Sequence, residues 1–171
     1  MSSKQIVENI KVGWNLGNSL DSHDTNSSDT ETGWGNPKTT QQMIDTVKAA
    51  GFNAVRIPVT WGEHMSADGT IDAAWMSRVK EVVDYAYNDG LYVILNVHHD
   101  DALWLVPTKD KLESDKATLT TIWKQICATF QDYDHRLIFE GMNEPRVIGS
   151  AEEWTGGTQE SYDVINQLFQ A

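Results

Sequence analysis

The side chains best suited to proton transfer follow the apolar segment Leu137 to Phe139, where Asn143 and Glu144 precede Pro145. An apolar segment of this length predicts a buried strand, and proline ends regular strand pairing. A carboxyl group at such a boundary is expected to be half-buried, which raises its pKa. A raised pKa suits a general acid at neutral pH, so Glu144 is a candidate catalytic residue. The alternative is that Asn143 and Glu144 are ordinary polar residues of a loop.

Three earlier apolar segments also predict strands that end in polar or aromatic side chains: Val12 to Asn18, Phe52 to Val59 and Leu91 to Val97. In parallel α/β barrels the active site lies at the carboxyl ends of the strands. Polar or aromatic side chains follow all four predicted strands, and this recurrence predicts one shared site at that end of the sheet. The side chains at the three earlier ends are Trp14, Asn15, Asn18, Arg56, Thr60, Trp61, Asn96, His98 and His99.

The charged and imidazole groups at these ends suggest distinct roles. Arg56 offers a planar fork suited to holding a carboxylate, with a structural ion pair as the alternative. His98 and His99 are adjacent on a predicted strand, so they are expected to point to opposite faces and not to share a metal ion. A metal site of either histidine with Asp100 lacks further ligands at suitable spacing, so we predict neither metal nor cofactor. His98 could form a hydrogen bond to a substrate hydroxyl. Alternatively, it could be a core histidine whose hydrogen bonds are all made within the protein.

The chain contains seven tryptophans, many for its length. Each has a flat apolar face that stacks on a sugar ring or fills a core. Trp75 and Trp123 fall on helical apolar stripes and are predicted to be core residues. Five others lie in or beside strand ends and are candidate stacking platforms: Trp14, Trp34, Trp61, Trp104 and Trp154.

Helical patterns separate the strands. Asp72 is a predicted N-cap before an apolar stripe that Gly90 closes, and Gly51 follows another helix. Cys127 is predicted to be buried packing. The predicted helices are 5–11, 39–50, 72–90, 118–130 and one from Ser161, and 19–37 is predicted to be a surface loop.

Alternating strands and helices define the α/β class, either a (β/α)8 barrel or a doubly wound sheet. No glycine-rich phosphate loop follows a strand, which disfavours nucleotide binding.

Length and charge set limits on function. The chain has 171 residues and a net charge of −12. Its length fits one domain, and its acidity argues against nucleic acid or anionic membranes as partners. We find no apolar run long enough for a membrane span, and no signal peptide is expected at the start of this sequence.

The strand-end motifs resemble the family 5 glycoside hydrolases, most closely their bacterial endoglucanases. The matching stretches, in family order, are 13–18, 51–61, 95–99 and 139–145. The resemblance implies a TIM-type (β/α)8 barrel of which residues 1–171 form the N-terminal half, about the first four βα units. It further implies hydrolysis of β-1,4-glucan with retention of configuration by an enzyme secreted from the cell.

The resemblance also assigns roles. Glu144 resembles the family's acid/base, Asn143 the partner of the sugar 2-hydroxyl, Arg56 the residue that orients the nucleophile, and His98 a contact to the sugar at the cleavage point. The expected substrate-binding side chains are Trp14, Asn18, Trp61, His99, Trp104 and Trp154.

One required group has no counterpart in this sequence. Retaining hydrolysis needs two carboxyl groups about 5–5.5 Å apart, and the family's nucleophile belongs to the second half of the barrel. Asp100 and Glu63 do not fit that role, and Glu140 would lie about 13 Å from Glu144 along an extended strand. We therefore expect a second copy, a separate C-terminal chain or the rest of a longer enzyme to complete the barrel. The alternative is a half barrel without catalysis that only binds glucan or associates with a partner half.

Overall fold

The computed structural model describes residues 1–171 and contains four strands and five α-helices. Three short 3₁₀ helices lie in the connections, at Thr30–Thr32, Gly62–His64 and His99–Ala102. The strands are shorter than predicted, because the flanking residues turn into the loops that carry the polar groups. The elements are α1 (Ser3–Asn9), β1 (Gly13–Asn15), α2 (Gln41–Ala49), β2 (Ala54–Ile57), α3 (Ala73–Asn88), β3 (Tyr92–Asn96), α4 (Leu112–Thr129), β4 (Leu137–Glu140) and α5 (Gln159–Phe169).

The strands form one parallel sheet in the order β1-β2-β3-β4. Each strand pairs with the next one along the chain, and parallel crossovers are right-handed. The crossover helices α2, α3 and α4 therefore cover the same face of the sheet. This confirms the predicted half barrel, because a doubly wound sheet carries helices on both faces.

The two faces of the sheet differ in burial. Val55, Val93 and Leu95 face the helices and are fully buried. Ile94 pairs with Ile138 on the opposite face, and both are only partly buried. The face that would line the inside of a barrel is therefore open, as expected for half of one.

Local signals explain where the helices begin and end. The side chain of Asp72 accepts hydrogen bonds from the backbone N–H groups of Ala74 and Trp75, which starts α3. Gly51 and Gly90 follow α2 and α3 with φ of 98° and 80°, a conformation that glycine adopts without strain. The predicted core stripe of α3 is buried throughout: Trp75, Val79, Val82, Val83 and Ala86.

Two local predictions are wrong. Cys127 is exposed, because it follows Ile126 by one residue and so points about 100° away from the buried stripe of α4. The segment 19–37 is not wholly a surface loop, since Asp21 and Glu31 are buried. Both carboxylates accept hydrogen bonds there, Asp21 from the backbone N–H of Ser19 and Glu31 from that of Thr39. None of the five α-helices combines the length and the apolar composition that a membrane span requires.

Candidate active site

Arg56 is the central polar group at the carboxyl end of the sheet. Its Nε and Nη2 donate to the two carboxylate oxygens of Glu140, at 2.7 and 2.6 Å. Nη2 also donates to Asn143 Oδ1 and Nη1 to Asn15 Oδ1, at 3.0 and 3.1 Å. Four of the five guanidinium N–H groups are thus bonded within the chain, and one on Nη1 remains free. The hydrogen bonds to Glu140 raise the pKa of Arg56.

Glu140 is the ionised partner of this arginine. Burial alone would raise its pKa, but the hydrogen bonds from Arg56 and Asn96 outweigh burial and lower it. Its two oxygens accept three N–H groups, so few lone pairs remain for attack on a substrate. Glu140 therefore holds its neighbours in place and is a poor nucleophile.

Asn143 and Glu144 lie just beyond β4. The backbone N–H of Asn143 donates to Val97 O at 2.8 Å, and its Oδ1 faces Arg56. This orientation leaves the Asn143 Nδ2 group free to donate to a ligand. The side chain of Glu144 is 72% exposed, so the expected half-burial is not present. The strand ends at Glu140, which leaves Glu144 in the loop beyond it.

His98 and His99 do not point to opposite faces as predicted. β3 ends at Asn96, and His99 begins a 3₁₀ helix, so strand alternation no longer applies. Their ring centroids are 4.4 Å apart, and both Nε2 atoms approach Asp21 Oδ2, at 3.9 and 3.8 Å. Burial lowers the pKa of both imidazoles, that of His98 to about 4.

These three groups could in principle hold a metal ion, because their ligand atoms lie within 4.8 Å of one another. Two histidines and a carboxylate form a common metal-binding set. The set differs from the alternative considered above, because Asp100 faces elsewhere. The tautomer of His98 decides whether its Nε2 can be a ligand.

Asp100 is buried beneath the site and has a structural role. Its carboxylate accepts hydrogen bonds from the backbone N–H groups of Trp61 and Gly62 and from Trp104 Nε1, the last two at 2.7 Å. Burial raises the pKa of Asp100 to about 6. Trp61 is 0% exposed and donates its Nε1–H to Asn96 O, so the prediction of a stacking platform is wrong for Trp61.

The remaining predicted binding residues differ in their burial and in the direction that their side chains face. Trp14 lies beside buried Val55 and packs against the core, because Asn15 takes the face shared with Arg56. Trp14 therefore faces the helices and not the site, which corrects that prediction. Trp104 is half-buried and anchored by its Nε1 bond. Asn18 is exposed, with a left-handed backbone at φ 60°.

A cleft lies between the loop after β4 and the start of α5. Arg146 spans its floor, 2.8 Å from Asp101 Oδ2, 3.2 Å from Glu153 Oε1 and 3.9 Å from Glu144 Oε2. Trp154 is 76% exposed, and its ring lies 4.7 Å from the Arg146 guanidinium. The cleft encloses about 470 Å³ and includes Glu144 and Trp154 in its lining. Trp154 is therefore available for stacking next to the candidate acid.

Three residues of the site were not among the side chains predicted for it: Asp21, Glu140 and Arg146. Asn96 was predicted as a strand-end side chain without an assigned role. Asn96 and Glu140 had a usable signal, because each is polar at the end of an apolar strand and faces the open side of the sheet. Asp21 gave no signal, since it lies in a polar segment that resembles a surface loop. Arg146 follows Pro145 and could be linked to Trp154 only through the folded loop.

Parallel strands covered by helices on one face, with polar groups gathered at their carboxyl ends, are the features of half a (β/α)8-barrel enzyme. Residues 19–171 match the sequence profile of Cellulase (glycosyl hydrolase family 5). The chain belongs to glycoside hydrolase family 5.

Known relatives agree with this assignment. Endoglucanase A of Clostridium longisporum is 53% identical over 97% of this chain and 33% of the relative. Endoglucanase A of Ruminococcus albus is 48% identical over 98% of this chain and 46% of the relative. The chain thus spans less than half the length of these curated relatives.

Solved structures give the same result. The GH5-4 broad specificity endoglucanase from Clostridium longisporum has a TM-score of 0.94 and 52% identity, covering 98% of this chain and 50% of that one. A GH5 xyloglucan-specific endo-beta-1,4-glucanase from a metagenomic library, in complex with cellotriose, has a TM-score of 0.93 and 52% identity over the same shares. The chain spans half of each solved barrel.

Proposed function

We propose that this chain is the N-terminal half of an endo-β-1,4-glucanase catalytic domain and supplies its acid/base, Glu144. The observation that carries the proposal is the network in which Arg56 bonds Asn143 and Glu140 across the end of the sheet, next to Glu144. The endoglucanase relatives, together with three similar solved structures that hold cellotriose, support β-1,4-glucan as the substrate class.

The proposed roles follow from the donor groups of that network that have no hydrogen-bond partner within the chain. Asn143 Nδ2 donates to a sugar hydroxyl, and the free Nη1–H of Arg56 holds the nucleophile carboxylate of the second half. That carboxylate attacks the anomeric carbon while Glu144 protonates the leaving glycosidic oxygen. Glu144 then removes a proton from water, which displaces the carboxylate and completes hydrolysis with retention.

We propose the outer edge of β4 as the surface to which the second half of the barrel docks. The outer edge of β4 has no strand partner, and Phe139 on that strand is 40% exposed. Beside it lies an apolar groove lined by Trp123, Phe139 and Phe169. Because the chain matches half of each solved barrel, we propose the second (β/α)4 half of a family 5 barrel as the occupant, and not a second copy of this chain. An unpaired edge next to an apolar groove also favours such association.

A glucan-binding fragment without catalysis is the alternative function. Two observations favour this alternative for the isolated chain: the side chain of Glu144 is exposed, and Glu140 is hydrogen-bonded to Arg56.

The substrate also suggests where the enzyme acts. Because a glucan polymer is too large to enter a cell, we propose that the complete enzyme acts outside the cell.

The test measures release of reducing ends from soluble β-1,4-glucan. The chain is assayed alone and mixed with the separately produced C-terminal half of the catalytic domain of the Clostridium longisporum relative. We expect hydrolysis only in the mixture and a loss of about 10²–10⁴-fold on Glu144→Gln. Glu152→Gln, which changes an exposed glutamate of the same cleft, is the matched control and should retain activity.

Three outcomes would contradict the proposal. Full activity of Glu144→Gln would show that Glu144 is not the acid/base. A folded mixture without hydrolysis would leave the glucan-binding alternative. Hydrolysis by the chain alone, together with a dimer in sedimentation, would identify a second copy as the occupant of the β4 edge.

A further inference from the structure

Asn96 is the only fully buried amide beneath the candidate site that contacts one of its imidazoles. It ends β3, is 0% exposed, and lies between the backbone of Val59, the carboxylate of Glu140 and the ring of His98. Its three contacts fix which end of the amide is oxygen and which is nitrogen.

The orientation follows from donors and acceptors whose identity is certain. The backbone N–H of Val59 can only donate, so the amide atom 3.2 Å from it is Oδ1. The ionised carboxylate of Glu140 can only accept, so the amide atom 3.1 Å from its Oε1 is Nδ2. The opposite orientation would place a donor against a donor and an acceptor against an acceptor.

This orientation determines the tautomer of His98. Nδ2 carries two hydrogens, of which one is donated to Glu140 and the other points at His98 Nδ1, 2.9 Å away. Nδ1 must therefore accept, and in the neutral ring the proton lies on Nε2. Nε2 is 3.9 Å from Asp21 Oδ2, too far for a direct hydrogen bond, so its N–H is free within the chain.

We propose that Asn96 is a positioning residue that locks His98 in the Nε2–H tautomer, so that His98 donates a hydrogen bond to a substrate hydroxyl oxygen. The functional part of this inference rests on the proposed glucanase function. A series of hydrogen bonds joins Arg56 to Glu140, Glu140 to Asn96 and Asn96 to His98. Each hydrogen bond fixes the orientation of the next side chain in the series.

The same lock decides against a metal ion held by Asp21, His98 and His99. A metal ligand needs a lone pair on Nε2, and in the locked tautomer that atom carries the proton. Binding there would require Asn96 to turn over and break its bonds to both Val59 and Glu140. Within this cluster His98 therefore offers a hydrogen-bond donor and not a metal ligand.

The test reads the tautomer directly. Long-range ¹H–¹⁵N correlation spectra of the ¹⁵N-labelled chain at neutral pH distinguish protonated from unprotonated ring nitrogens, and His98→Gln assigns the signals. We expect Nδ1 of His98 to be unprotonated and Nε2 protonated. An Nδ1–H ring in the folded wild-type chain would overturn the inference, whatever the outcome of the hydrolysis assay.

Two variants extend the test. Asn96→Ala removes the Nδ2 donor, so Nδ1 of His98 is no longer held as an acceptor and the ring should give a mixture of both tautomers. Asn53→Ala, which changes an asparagine in contact with the N-terminal segment, should leave the His98 signals unchanged.

The functional readout uses the completed barrel. We expect kcat/KM to fall by about twofold to tenfold in Asn96→Ala, because only part of the population then keeps the donating tautomer. Unchanged kcat/KM with a mixture of tautomers would overturn the functional role of the lock. Absence of hydrolysis in the wild-type mixture would count against the proposed function and leave the tautomer result standing.

Discussion

Glu140 and Arg56 form a two-pronged ion pair that crosses an intervening strand. Arg56 belongs to β2 and Glu140 to β4, and β3 lies between them. The two parallel hydrogen bonds, at 2.7 and 2.6 Å, fix the plane of the guanidinium as well as its position. The pair therefore connects both halves of the sheet end and sets where Asn143 and the free Nη1–H point.

Replacing Glu140 with Gln should destabilise the chain measurably. The change removes the charge and one acceptor from an arginine whose side chain is only 26% exposed. We expect the free energy of unfolding to fall by about 1–2 kcal/mol, measured by urea denaturation. Glu8→Gln is the control, because Glu8 forms an exposed pair with Lys4 at 3.9 Å and should change stability by less than about 0.5 kcal/mol. Equal effects of the two variants would show that the Arg56–Glu140 pair contributes no more than the exposed Lys4–Glu8 pair.

Glu31→Gln should have a larger effect that depends on pH. The Glu31 side chain is 2% exposed and bonds Arg78, itself 13% exposed. Leaving Arg78 without its buried partner should lower the free energy of unfolding by about 3 kcal/mol at pH 7. Glu81→Gln, which removes the exposed partner of the same arginine, should lower it by less than about 1 kcal/mol.

The sign of that pH dependence follows from the pKa of Glu31. Burial alone would raise it, but the hydrogen bonds from Arg78 and Thr39 prevail and lower it below its ordinary value. The stabilisation is therefore complete above the pKa of the unfolded chain, about 4.3, and is lost as the pH falls through the lower folded-state pKa. The stability difference between wild type and Glu31→Gln should shrink in that acidic range. A difference that grows on acidification would contradict this assignment.

Trp154→Ala should weaken glucan binding without unfolding the chain. The ring is 76% exposed and lies over the Arg146 guanidinium, so its removal opens no core cavity. We expect the Kd for cello-oligosaccharides to rise about fivefold to tenfold, from the loss of roughly 1 kcal/mol of stacking, as measured by titration calorimetry. Phe169→Ala removes an equally exposed aromatic ring on the groove beside β4 and should leave this affinity unchanged.

The fold could be predicted from the sequence because its signals are local. The stripe from Trp75 to Ala86 is buried as its spacing predicts, and Gly90 ends its helix with the expected backbone. The order of strands follows from short right-handed connections. Cys127 was misplaced because the next residue, Ala128, is also apolar, so periodicity alone did not separate it from the stripe defined by Ile126.

The site could be predicted only in part, because its geometry depends on contacts distant in sequence. Arg56 and Asn143 were identified as site residues, and their hydrogen bond joins positions 87 apart. Trp61 was assigned to the surface of the site because strand-end position does not reveal burial; its ring is instead enclosed and bonded to Asn96. The convergence of His98 and His99 on Asp21 depends on where β3 ends, which hydrophobic periodicity located one residue too late.

His98 should make the chain less stable in mild acid. Burial, followed by repulsion from His99, lowers the pKa of His98 to about 4, whereas an unfolded histidine titrates near about 6.5. Between these values the unfolded chain binds a proton that the folded chain does not, so the free energy of unfolding falls as the pH falls. The stability of wild type relative to His98→Gln should therefore decrease by about 3 kcal/mol between pH 7 and pH 4. Urea denaturation of both proteins across this range measures the difference, in which the contributions of other buried groups such as Asp100 cancel. A constant difference would mean that folding does not shift the His98 titration, and a difference that rises on acidification would mean that folding favours the imidazolium, with Asp21 prevailing over burial.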